Sequence, residues 1–131
     1  MISEDVNALT NRFFDLFDET DVNILVEGQP TIDVDETRCW MRFTVSPGFG
    51  KQSTMSENAK FQQLGVATLQ VFAPEGHGTY EAFQIQDKFM LGFRNWRSAD
   101  KKIHVYKSSN DKSTQDGYTQ YNINVFWESQ R

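Results

Sequence analysis

Two imidazoles and one thiol are the side chains in this sequence best suited to proton transfer or nucleophilic attack, and none has the neighbours that chemistry needs. His77 lies between Gly76 and Gly78, in a segment that reads as a turn, and His104 follows a basic stretch inside a strand-like run. Cys39 is the single cysteine, so no intrachain disulfide and no cysteine-based zinc set is possible; its apolar surroundings suit a small buried thiol. Asp33, Asp35 and Glu36 offer oxygen ligands of the kind hard cations take, but the rest of a calcium-loop pattern is absent. The run Gly48 to Thr54 has a Gly-Lys pair like a phosphate-cradling loop. That motif needs glycine where Val45 stands and a hydroxyl residue where Gln52 stands, so the match fails. The sequence therefore points to no catalytic residue, no cofactor and no metal, and the expectation is a protein that is not an enzyme.

Charge is the next feature with chemical content. Residues 1–36 hold ten acidic side chains and one basic one, Arg12, for −9; the remainder holds 12 basic and eight acidic side chains, for +4, giving the net −5. Arg94, Arg97, Lys101, Lys102, Lys107 and Lys112 supply half of the later positive charge. One reading is a solvated face around a loop; the other is pairing between copies, acidic edge to basic edge. An acidic chain with no recognition motif argues against a nucleic-acid reader.

The elements that would position these residues follow from periodicity. Ser3 suits a helix cap, Glu4 and Asp5 suit the positive end of a helix, and Val6, Leu9, Phe13, Leu16 and Phe17 recur at helical spacing. A short strand is predicted over residues 23–27. Over 38–45 the residues alternate, placing Cys39, Met41, Phe43 and Val45 on one face. Pro47, Gly48 and Gly50 predict the end of that strand and a long polar loop over 48–62. A strand over 65–73 then closes at Pro74. A helix is predicted from Thr79, its apolar stripe formed by Ala82, Ile85, Phe89, Gly92, Phe93 and Trp96 and widened by Phe83 and Met90. Strands over 103–107 and 118–128, separated by a polar turn over 108–117, complete the chain. In the last of them Tyr121, Ile123, Val125 and Trp127 alternate with polar residues, so one face should be wet. The prediction is an α+β fold, one domain over 1–131, with a mixed or antiparallel sheet of about five strands packed against two amphipathic helices. At this length the core suffices without cross-links. The acidic N-terminus does not read as a leader, and no apolar run has the length of a membrane span, which points to folding in a reducing cytoplasm.

One stretch carries a resemblance. Gly65 to Thr79, GVATLQVFAPEGHGT, is similar to the signature of the tail terminator family of long, non-contractile-tailed bacteriophages, the lambda-type tail tube capping proteins. In that family a strand ends in a V-F-x-P-x-G-x-G turn that leads into an amphipathic helix. The preceding strand, Pro47, the glycine-containing loop, the N-terminal helix and the closing strand extend the similarity over most of the chain, although only the signature is specific. The resemblance implies a homo-oligomeric ring, usually of six copies, that caps the head-proximal end of a tail tube in the virion. It would stop tube polymerisation and present the docking surface for the head connector. The implied partners are other copies, the tube protein, the head-completion protein and genomic DNA passing through an acidic lumen without specific binding; no membrane is involved. Assembly would take place in the host bacterial cytoplasm.

On this reading Phe49, Lys51 and Met55 of the 48–62 loop are the candidate tube-facing residues, and Arg94, Arg97, Lys101 and Lys102 the candidate inter-subunit residues. A ring needs two different patches to meet, and the acidic first third and the basic segment are suited to that. The strong acidity of residues 1–36 and the nearly uncharged run 52–58 depart from many relatives. Two alternatives stand beside the reading: another phage neck or head-closure component, and a domain that binds a small ligand or peptide between helix and sheet.

Overall fold

The computed structural model describes residues 2–17, 23–26, 39–52, 61–74, 76, 79–115 and 117–131. These form α1 (Ile2–Leu16), β1 (Asn23–Val26), β2 (Trp40–Gln52), β3 (Phe61–Pro74), α2 (Thr79–Phe93), β4 (Ile103–Gln115) and β5 (Tyr118–Gln130). The fold is α+β. Its five-stranded sheet has the order β1-β2-β3-β5-β4; β1 runs parallel to β2, and every other pairing is antiparallel.

Both helices lie on one face of the sheet. Leu9, Phe13 and Phe17 of α1, and Ala82, Ile85, Phe89 and Phe93 of α2, are buried with Met41, Phe43, Leu69, Val71, Ile123, Val125 and Trp127 from the strands. The rings of Phe13 and Phe43 stack at 4.4 Å with planes 2° apart, and Phe43 lies 6.2 Å from Phe93 of α2, so aromatic packing joins both helices to the sheet. Cys39 is buried at the edge of this core. The helices are tied to each other where the Arg12 guanidinium donates to the Gly92 carbonyl at 2.8 and 3.2 Å. Gly65 is required by a close approach: a Cβ there would lie 2.4 Å from Trp127 Cζ2 and 2.8 Å from the Ser46 carbonyl oxygen. Phe83 departs from its predicted place in the apolar stripe, being half-exposed and in a T-shaped ring contact with Tyr121.

The other face of the sheet is polar, as the alternation in β5 predicts. Thr68 donates to Asn124, Asn124 to Ser109, Asn122 to Asp111 and Arg42 to Gln70, forming a ladder of side-chain hydrogen bonds across the strands. Trp40 stacks on Phe72 at 3.8 Å near the end of this face that Tyr118 borders.

Three expectations are corrected. The loop expected over 48–62 is strand at both of its ends: β2 continues to Gln52 and pairs with β3 from Phe61, while residues 53–60 lie outside the described residues. Pro47 is tolerated because, among the described residues, β2 pairs there with β3 alone, the pairing with β1 reaching only Phe43, and a bulge between Pro47 and Gly50 absorbs the irregular residue. The 108–117 turn shrinks likewise, since β4 runs to Gln115 against β5. Neither stretch alternates apolar with polar residues in a strand period, so the sequence pattern gives no sign of them. Finally, α1 already includes Ile2, which puts Ser3 inside the first turn rather than at the cap.

A candidate docking surface at one end of the sheet

The segment between α2 and β4 folds into a compact turn. Trp96 N–H donates to the Phe93 carbonyl, Ser98 N–H to Ile103, Lys101 N–H to Ser98 and Val105 N–H to Trp96, all at 2.9–3.1 Å. Arg97 and His104 form an antiparallel bridge, and His104 Nε2 sits 3.0 Å from Asn95 Oδ1. Asn95 and Lys101 adopt left-handed backbone angles, φ 56° and 61°, that residues with side chains seldom take. The dense hydrogen bonding around them holds those angles.

The Ser98 hydroxyl donates to Asp100, whose carboxylate also accepts from the Lys102 amide at 3.1 Å. These two bonds, with Arg131 and Lys102 nearby, outweigh slight desolvation and hold the Asp100 carboxyl below its ordinary range. Arg131 joins the turn to the start of α1 through Glu4 at 2.7 Å, Asp5 at 2.9 Å and Asp100 at 3.7 Å. Asp5 is 1% exposed and also accepts from the Ser129 hydroxyl at 2.6 Å.

These groups surround an open cleft of about 510 Å³ lined by Arg97, Asp100, Lys101, Lys102, His104, Glu128, Gln130 and Arg131. Arg131 is engaged by three carboxylates. Glu128 accepts from Gln62 at 3.0 Å. Arg97, Lys101 and Lys102 are exposed on the rim, so the cleft presents cations fixed on a rigid turn.

Three of the four residues predicted for contacts between copies, Arg97, Lys101 and Lys102, are thus brought together. Arg94 is not; it lines a smaller groove with Met90, Asn95, Val105, Tyr106, Lys107, Ser108 and Val125. Phe49 and Lys51 belong to β2, Lys51 opposite Gln62, and Met55 lies outside the described residues, as do Asp33, Asp35 and Glu36. Phe61 and Arg131 exchange backbone hydrogen bonds at 2.8 and 3.1 Å. The start of β3 and the paired end of β2 therefore lie at the same end of the sheet as Arg131 and the basic turn. The sequence reading missed Asp5, Ser98, Asp100 and Arg131. Asp5 looked like an ordinary acid in a first helical turn, and its partners stand more than 120 positions away.

Among the described residues no three His, Cys, Asp or Glu side chains converge as metal ligands, and no helix is long and apolar enough to cross a membrane. No family model matches the chain, and no curated protein matches it. A solved structure of a protein named only by an identifier is similar over 100% of this chain and 98% of its own, with a TM-score of 0.74 and 19% identity. At that identity the likeness shows the fold alone.

Proposed function

We propose that the chain is a structural, non-enzymatic virion protein that forms a ring, usually of six copies, on the head-proximal end of a phage tail tube. There it stops tube growth and receives the head connector. The observation that carries the reading is the signature resemblance, read together with its setting: β3 ends at Pro74, Gly76 takes φ 79°, and α2 starts at Thr79. A strand ending at Pro74 and an amphipathic helix beginning at Thr79 are in keeping with that signature. The rim of Arg97, Lys101 and Lys102 supports the assembly role, because exposed cations on a rigid turn suit an acidic patch on a neighbour. The alternative of a ligand held between helix and sheet is weakened by Phe13, Phe43, Phe89 and Phe93, whose rings pack on one another there.

In this reading the β2–β3 hairpin, with Phe49, Lys51 and Met55, meets the tube, and the basic turn meets the next copy. DNA passes the lumen without specific contacts. The test has two arms. Deleting the gene should yield overlong, headless tubes in electron micrographs. Replacing Arg97, Lys101 and Lys102 together by Glu should leave a folded chain that no longer forms rings. Normal tails after deletion would overturn the function, and unchanged rings in the triple variant would overturn the interface.

A further inference from the structure

The sheet ends in β4, and among the described residues the outer edge of that strand is covered over only part of its length. Residues 96–98 run along Ile103 to Val105, through the Arg97–His104 bridge and the Val105 to Trp96 hydrogen bond. A bulge between Val105 and Lys107 follows. From Tyr106 to Gln115 no described strand lies on the outer side, residues 106–114 are all exposed, and the stretch contains no proline to block pairing. Such an edge offers a row of N–H and C=O groups to another strand.

We infer that this edge pairs antiparallel with the same edge of a second copy, centred on Ser109. The inference is independent of the ring reading, since an isologous contact buries one patch twice and cannot close a ring. The charge pattern selects the register. A two-fold axis normal to the sheet keeps each side chain on its own face, so the axis must pass a residue that pairs with its own copy. Lys107, Ser109 and Asp111 stand opposite Phe126, Asn124 and Asn122 of β5, so all three share the polar face. With Ser109 on the axis, Lys107 of each copy lies opposite Asp111 of the other, giving two opposite-charge pairs on one face. Centring on Asn110 sets both charges against serines. Centring on Asp111 opposes two carboxylates, and centring on Lys112 opposes two ammonium groups. The bulge at Val105 to Lys107 ends the ladder on its own side, which restricts the pairing to the regular part of β4. The product is a continuous sheet through two copies, β1-β2-β3-β5-β4 joined to its mirror order.

A charge swap in the full chain, read by sedimentation over a range of concentrations, tests the pairing. Lys107→Glu sets Glu opposite Asp111 twice, and Asp111→Lys sets Lys opposite Lys107 twice; each should weaken dimerisation by about tenfold or more. The double variant restores both pairs and should return to within about threefold of the parent. A parent that stays monomeric, or a double variant no better than the singles, would overturn the inference. Lys107 also sits 5.3 Å from the Phe126 ring and Asp111 accepts from Asn122, so a fold-independent arm is needed. Ser109→Cys places the new thiol beside its own copy and should cross-link under mild oxidation, whereas Ser113→Cys should not. Equal cross-linking of the two, or open-ended growth with concentration in place of a dimer, would count against this register. Glu substitutions at Arg97, Lys101 and Lys102 should leave the dimer intact, which separates this contact from the proposed ring interface.

Discussion

Replacing Asp5 is the most direct probe of what holds the basic turn against α1. Its carboxylate is 1% exposed, takes Arg131 Nε and Nη2 at 2.9 Å on one oxygen and the Ser129 hydroxyl at 2.6 Å on the other. Two accounts of this acid differ in size. If it acts only through the positive end of α1, removing its charge costs about 0.3–1 kcal/mol and the effect fades with salt. If the buried hydrogen-bonded pair dominates, the cost is larger and survives salt. Asp5→Asn keeps the shape, and its amide nitrogen can face Ser129 while its oxygen faces Arg131. Arg131 also retains Glu4 and Asp100. The loss should then be about 1–3 kcal/mol, below the 3–5 of a buried pair broken outright. Asp5→Ala removes both acceptors and strands the Ser129 hydroxyl, and should cost about 3–5 kcal/mol. Urea unfolding of the parent and both variants, at low salt and at about 0.5 M salt, reads these values. Costs under about 1 kcal/mol that vanish in salt would leave the helix-end account standing and refute the buried-pair argument.

The remaining predictions concern packing and protonation. Gly65→Ala drives a methyl into the Trp127 indole and the Ser46 carbonyl; it should destabilise by about 1–3 kcal/mol in the same unfolding assay, and a neutral result would contradict the close approach. Ser98→Ala removes the largest cause of the lowered Asp100 pKa, so a carboxyl NMR titration should find that pKa nearer the ordinary range; an unmoved value would refute the assigned cause. The sign for stability follows. A carboxyl held low in the folded state contributes above its unfolded pKa, and the contribution is lost as pH falls through the folded value. The difference between parent and Asp100→Asn should therefore shrink in the acid range, and a difference that grows on acidification would contradict the assignment.

The helices, the first half of β2, the middle of β3 and β5 as far as Glu128 were legible because each has one buried face, and burial writes a period of two or about 3.6 into the sequence. Cys39, Met41 and Phe43 alternate for that reason, and so do Tyr121, Ile123, Val125 and Trp127. The same logic explains the failures. Beyond Pro47, β2 pairs among the described residues with β3 alone, and no residue of it after Phe43 belongs to the buried core. From Ser108 to Thr114, β4 is exposed and is held by backbone pairing to β5 and by the Asn122 and Asn124 ladder. A strand whose pairing partner supplies its order leaves no periodic trace, and sequence reasoning then reads glycine, proline and serine as a loop. The candidate surface was half legible on the same grounds. Clustered charge named Arg97, Lys101 and Lys102, since local sequence suffices for that. Nothing local reports that Arg131 crosses to Asp5, or that Phe61 zips to Arg131 and brings the start of β3 to the same end of the sheet as the basic turn. Those are consequences of strand order. The basic turn and the outer edge of β4 lie outside the buried core, and hydrophobic patterning could not place them for that reason.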